Sequence, residues 1–238
     1  MFSATMPPKI RSMSKHIMKN PVEIALEMSK PPEGVIQAMY MLRDDQKLPL
    51  INSLIADNPE YHSILIFSST KKKVSEIVKG LRSKHYLVEG ISSDLEQKER
   101  EDVMVRFRSR RIRVLVATDV LSRGIDVKDI NLVVNYDAPA DAEDYVHRVG
   151  RTARAETSGA AVTLVNRQDI QKMERIENLI GNRIFNAPLP AFIAGIHEDR
   201  SARPPSRKKS GKGGFKRRFN QKGRKQDSGT KNNPANRQ

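Results

Sequence analysis

Three short runs hold residues whose types and spacing suit chemistry. The first is Tyr145-Val146-His147-Arg148-Val149-Gly150-Arg151-Thr152-Ala153-Arg154. Helical spacing at about 100° per residue would bring His147, Arg151 and Arg154 within roughly 60° of one another on a single face. Asp144 stands four residues before Arg148 and is placed to pair with it, whereas the positions four before Arg151 and Arg154 are His147 and Gly150. Two arginines on one stripe without intrahelical acids repel unless an anion lies opposite. Their planar guanidinium forks match phosphate oxygens. A glycine inside the helix, which costs about 1 kcal/mol relative to alanine, favours function over the alternative of a solvated basic face.

The second run, Thr118-Asp119-Val120-Leu121-Ser122-Arg123-Gly124-Ile125-Asp126, gathers hydroxyls, two carboxylates, an arginine and a glycine just after an apolar strand. Glycine lets a backbone approach a ligand closely, and the carboxylates suit ribose hydroxyls or arginines. The alternative is a loop whose Asp and Ser cap the next helix. The third run, Gln97-Lys98-Glu99-Arg100, opens a helix that continues to Phe107, with Gln97 and Arg100 on one face. Val103, Met104 and Phe107 confine the apolar surface to later turns, so the first turns are expected to protrude. Alone, this run reads more readily as a solvated helix start than as a site.

These runs must be positioned by elements, and residues 22–200 alternate short apolar strands with one-faced helices. The strands are expected at Val22–Leu26, Val35–Met41, Ser63–Ser68, Tyr86–Glu89, Ile112–Ala117, Leu132–Tyr136 and Ala160–Val165. Val74, Ile77, Val78 and Leu81 mark one helix, and Leu48, Ile51, Leu54 and Ile55 another. Ile170, Met173, Ile176, Leu179 and Ile180 mark the helix that closes the body. Ile64–Phe67 and Val114–Val116 are apolar on both faces, as central strands covered by helices on each side would be. The fold class is α/β: an open, mainly parallel sheet with helices on both faces. In such sheets the ligand crevice lies at the carboxyl ends of the strands, where the second run falls.

The 238 residues carry a net charge of +15, but unevenly. Residues 201–238 hold 13 Lys and Arg against the single acid Asp227, a net of +12, which leaves the remainder at only +3. The tail is rich in Gly, Ser, Asn and Pro and cannot bury enough apolar area to offset the entropy of ordering. It is expected to be disordered, and reads either as a polyanion-binding arm or as a solubilising terminus. With no cysteine, disulfide scaffolds, zinc-thiolate sites, iron–sulfur clusters and thiol nucleophiles are excluded. The longest aliphatic or aromatic run, Ile64-Leu65-Ile66-Phe67, falls far short of the ~18 residues of a membrane helix, and there is no secretory h-region at the start. A soluble, cytoplasmic protein with no membrane association is the expectation.

In this order, the runs resemble the second RecA-like domain of the DEAD-box RNA helicases, within helicase superfamily 2. Ser3-Ala4-Thr5 is similar to the family's SAT element, and Leu65 to Thr70 to motif IV, with Ser68 and Ser69 replacing the usual valine and asparagine. Gln97 and Arg100 match the Q-x-x-R element. Thr118 to Asp126 matches motif V in full, and His147 to Arg154 matches motif VI with Ala153 for the more frequent glycine. That alanine and the basic tail resemble the bacterial RhlE-type subgroup. Where the family often has His-Gly, this chain reads Ile91-Ser92-Ser93-Asp94, leaving Gly90 as the nearest glycine.

The resemblance covers about residues 1–200 and implies a RecA-like fold with an interdomain linker over 1–20, a helicase C-terminal domain over 21–200 and an RNA-binding tail over 201–238. It implies that Gly124 and Asp126 contact the nucleotide, and that Arg151 and Arg154 are arginine fingers reaching the γ-phosphate. His147, a catalytic residue with these two, would couple to the first domain, together with Ser3, Thr5 and Arg148. Thr70, Gly90, Gln97, Arg100, Thr118 and Arg123 would lie along the RNA path and touch mainly phosphates and sugars, which is blind to base sequence.

The chain has no G-x-x-x-x-G-K-[ST] phosphate loop and no D-E-A-D sequence. The expectation is therefore that ATP and its Mg2+ are held largely by an N-terminal RecA-like domain, that no metal binds this chain, and that the chain alone is inactive. Its start beside the SAT element suggests a fragment cut at an interdomain boundary or a natural truncated product, expected to be monomeric. Two alternatives stay open: a stand-alone RNA-binding or adaptor module with a RecA-like body, and a related helicase acting on DNA, which fits motif VI better than it fits the SAT element and motif V.

Overall fold

A computed structural model of the chain describes residues 8–19, 22, 31–32, 34–119, 130–152 and 159–195. The described strands are β1 (Val35–Met41), β2 (Ile64–Ser68), β3 (Val88–Ile91), β4 (Val114–Thr118), β5 (Leu132–Asn135), β6 (Gly159–Val165) and β7 (Phe185–Asn186). They form one sheet in the order β3-β4-β2-β5-β6-β1-β7. Every described pairing is parallel. The helices are α1 (Pro8–Ile17), α2 (Asp44–Ala56), α3 (Lys71–Arg82), α4 (Gln97–Arg108), α5 (Ala142–Val149), α6 (Ile170–Ile180) and α7 (Ala191–Ala194).

The period-2 alternation of side chains divides the core between the two faces of the sheet. Ile64, Ile66, Val114, Val116, Leu132 and Val134 pack under α2 and α3, meeting Ile51, Ile55, Val74, Ile77 and Leu81. Leu65, Phe67, Leu115, Ala117 and Val133 face the other way, against Val103 and Phe107 of α4, Tyr145 and Val149 of α5, and Met173 and Ile176 of α6. All five residues of β2, and all of β4 except its last, are buried, as their two-sided apolarity predicts.

The chain leaves β2 toward the α3 face and leaves the adjacent β5 toward the α5 face, so the two carboxyl ends diverge, the arrangement at which open α/β sheets place their ligands. Ser68-Ser69-Thr70 and Tyr136-Asp137 stand there.

Several expectations shift. The strand expected at Tyr86–Glu89 starts at Val88, because His85 takes a left-handed φ of 63° and the Tyr86 N–H turns back to Leu81 O. The one expected from Ile112 starts at Val114, because the Arg111 and Ile112 N–H groups both turn back to Arg106 O. On α2 the inward stripe is Lys47, Leu50, Ile51 and Ile55, with Leu48 and Leu54 only partly buried. A lysine on the inward face misled the phase. On α6, Met173, Ile176 and Ile180 are buried, but Ile170 and Leu179 are 40% and 37% exposed. Strand β7 was not expected, being two residues long. The segment expected as linker contains α1. Of the strand expected at Val22–Leu26, all but Val22 lies outside the described residues, as does the whole of the tail.

Candidate nucleotide and nucleic-acid site

The carboxyl ends of β3, β4, β2 and β5 are neighbours, and three of the four lead into the runs singled out above. Ser68 and Thr118 are register partners, as are Phe67 and Asn135. The turns after β2 and β3 are clasped by Lys71 Nζ and Asp94 Oδ1, 2.8 Å apart. The structure thus brings Thr70, Gln97, Arg100 and Thr118 to one edge of the sheet.

Each is placed by its local sequence. Thr70, in extended backbone, caps α3, its hydroxyl accepting from the Lys73 N–H at 3.3 Å. Lys71, Lys72 and Lys73 fill the first turn of α3, where cations oppose the helix dipole and an anion would be favoured. Gln97 is exposed at the start of α4, with its amide donating to Glu101 Oε1 at 2.8 Å. Arg100 reaches back to Ser93 O at 3.3 Å. These first turns protrude, as expected. Gly90 is different: it lies inside β3, and a Cβ there would come 2.9 Å from Val74 Cγ1 and 3.1 Å from Val78 Cγ2. Close packing of α3 accounts for this glycine, a reading that stands beside its expected place on the nucleic-acid path.

The arginine run is held by two buried anchors. Arg148, 3% exposed, donates from Nε to Asp119 Oδ1 at 2.6 Å and from Nη2 to Asp119 Oδ2 at 2.7 Å, a bidentate pair. Its Nη1 donates to Asn135 Oδ1 and to Asp137 O, both at 3.0 Å, and its guanidinium lies 5.0 Å from the Phe67 ring centroid. Asp119, not Asp144, is therefore its carboxylate partner. A guanidinium so enclosed is committed to contacts inside the domain, so any part it takes in interdomain coupling is indirect. Thr152, fully buried, is the second anchor: its hydroxyl donates to Ile130 O at 2.6 Å, and the two residues form a parallel bridge. Arg151 lies between the anchors and is half-buried.

Helix α5 ends where the periodicity argument assumed it continued. Gly150 is its C-cap, donating to Val146 O at 2.8 Å, and Arg151 and Thr152 follow in a tight turn. The interior-glycine argument therefore does not hold. His147, 40% exposed at its side chain, has Nδ1 4.0 Å from Asp144 Oδ1. Ser3, Thr5, Arg123, Gly124, Asp126 and Arg154 lie outside the described residues.

Sequence reasoning missed Asn135 and Asp137. Asn135 relays Arg148 to Thr163 Oγ1, donating at 3.1 Å. Asp137 Oδ2 accepts from the Ser69 N–H at 2.9 Å and the Ser69 and Ser68 hydroxyls at 2.8 and 3.3 Å, while Oδ1 takes Lys73 Nζ at 2.6 Å. The fully buried Lys47 stands 3.5 Å from Asp137, 2.9 Å from Asp44 and 5.1 Å from the Tyr136 ring centroid. Burial alone would raise the Asp137 pKa; the bonds from Lys73 and Ser69 and the charge of Lys47 outweigh it and hold it at about 2. Burial, then the Asp137 charge, pushes the Tyr136 phenol up to about 12. The available signal was two polar residues, Asn and Asp, closing an otherwise apolar strand at the ligand edge.

Residues 46–156 match the helicase conserved C-terminal domain. The chain is 36% identical over 190 residues to the ATP-dependent RNA helicase eIF4A of Kluyveromyces lactis, an alignment covering 79% of this chain and 48% of that protein. It therefore spans about half the length of the curated relatives it matches. Among solved structures, Saccharomyces cerevisiae Dbp5 bound to RNA and ADP–BeF3 shares 30% identity at a TM-score of 0.69, over 78% of this chain and 49% of that one. Escherichia coli SrmB, bound to regulator of ribonuclease activity A, shares 30% identity at a TM-score of 0.60, over 66% of this chain and 93% of the SrmB chain. A strand-end edge carrying motif IV and the described parts of motifs V and VI is thus found in a chain that matches a DEAD-box protein over nearly all of the latter's solved length, and the chain belongs to the DEAD-box RNA helicase family, as its helicase C-terminal domain.

Proposed function

We propose that this chain acts as the C-terminal half of an ATP-dependent RNA helicase, closing with an N-terminal RecA-like domain over ATP to open short RNA duplexes locally. The observation that carries the reading is the anchoring of Arg151 between Arg148 and Thr152, two buried residues that fix the turn carrying it. Preorganised cations contribute most where charge develops, because they need not reorganise during the reaction.

In this reading Arg151 and Arg154 stabilise the γ-phosphoryl group during transfer, Gly124 and Asp126 contact the nucleotide, and His147, Ser3 and Thr5 couple the two domains. Arg148 acts through Asp119, as a positioning residue. Thr70, Gln97, Arg100, Thr118 and Arg123 follow the RNA backbone, and Gly90 serves by letting α3 pack close. The phosphate-binding lysine and the carboxylates that hold Mg2+ belong to the N-terminal domain, since this sequence has neither motif. The domain boundaries follow the same logic: a linker over 1–20, the RecA-like body over 21–200 and an RNA-binding tail over 201–238. We place the protein in the cytoplasm as a monomer; among the described residues no helix is long and apolar enough to cross a membrane.

Covalent joining to an N-terminal DEAD-box domain is expected to produce RNA-stimulated ATP hydrolysis and strand separation of a short duplex. A joined protein that binds RNA but shows neither activity would favour the adaptor reading instead.

A further inference from the structure

Asp137 sits between the β2 and β5 ends and touches both halves of the site. Through its carboxylate it holds Ser68, Ser69 and Lys73, and so fixes the turn that presents Thr70 and the start of α3. Through its backbone carbonyl it accepts from Arg148, whose guanidinium grips Asp119 at the end of β4. A single residue thus joins the turn assigned to RNA and the turn assigned to the nucleotide.

The two sides differ in access. Lys73 is 37% exposed at its side chain, whereas Arg148 and Asp137 are almost fully enclosed. A phosphate arriving at the first turn of α3 meets Lys73 and competes with Asp137 for its ammonium. The enclosed carboxylate then rests more heavily on Ser69 and Lys47, and the backbone carbonyl that supports Arg148 is attached to the same residue. Interiors packed this closely transmit displacement rather than absorb it.

We propose that Asp137 is a positioning residue that makes RNA binding at the β2–α3 turn and nucleotide binding beside the Arg148–Thr152 turn depend on one another. The proposal rests on the RNA and nucleotide assignments made above. Coupling of this kind is reciprocal, so it is measurable from either side.

The test uses the two-domain protein and measures the Kd of a single-stranded RNA oligonucleotide with and without ADP–BeF3. The unsubstituted protein is expected to bind RNA at least about five-fold tighter with the analogue. Asp137→Asn keeps the size and one acceptor but turns an amide toward donors, and should bring that ratio to within about two-fold of unity. Ser69→Ala removes one donor and leaves the carboxylate in place; it should reduce the ratio in the same direction and decides the matter if Asp137→Asn does not fold. A purely structural role would weaken RNA binding equally in both states, and an unchanged ratio in the folded variants overturns the proposal. Arg151→Ala serves as the control: if it abolishes hydrolysis while the Asp137→Asn ratio is unchanged, the coupling alone is overturned. If Arg151→Ala turns over normally, the functional reading beneath it falls as well.

Discussion

Arg148 and Asp137 share the task of holding three strand ends in place, those of β2, β4 and β5, and neither role is visible from residue type alone. Arg148 reads as one more cation in a basic run until its burial and its bidentate grip on Asp119 are known. Asp137 reads as a turn residue until Ser69, Lys73 and Lys47 are found around it. Because its pKa is lowered in the folded state, the stability it contributes is present above the unfolded value and is lost as pH falls through about 2. This amounts to about 2 kcal/mol lost between roughly pH 5 and pH 2. Urea denaturation across that range should show this loss, and Asp137→Asn should remove it from the pH profile; an equally steep profile in the variant would assign the loss to other carboxylates. The arginine run and the Gln97–Arg100 run stand out in the sequence because chemistry follows residue type and spacing, whereas Thr70 is singled out only by the family resemblance. Anchors do not stand out, because burial depends on which strands become neighbours.

At the scale of elements, the alternation of strands and one-faced helices was enough to find every described strand longer than two residues. What it misjudged were ends and phases: β3 and β4 begin two residues late because the preceding chain folds back onto helix termini, and the buried face of α2 takes in Lys47 while leaving Leu48 and Leu54 at its margin. The end of α5 had more consequence, since a cap at Gly150 puts Arg151 in a turn and not on a helical stripe. Gly90 is likewise explained by an element, namely α3 pressing on β3. Gly90→Ala should therefore destabilise the domain by about 1–3 kcal/mol in urea unfolding without nucleic acid present, through the contacts with Val74 and Val78. Unchanged stability with weakened RNA binding would leave Gly90 to the nucleic-acid path alone.

Over the whole molecule, charge and function separate. The body is nearly neutral, and the +12 of residues 201–238 accounts for most of the total of +15. Bulk charge attracts any polyanion, whereas the helicase reading depends on a few placed arginines. Removing Ser201–Gln238 should lower RNA affinity and flatten the slope of log K against log salt while leaving the thermal unfolding of the body unchanged; an unchanged slope would show that the tail does not bind phosphates. The central claim concerns Arg151, held between its buried neighbours to act on a γ-phosphate supplied from across the domain cleft. RNA-stimulated ATP hydrolysis by the joined two-domain protein carrying Arg151→Ala tests it most directly: a fall of about 10³-fold in kcat with RNA binding retained is the predicted result, and an unchanged kcat would contradict it.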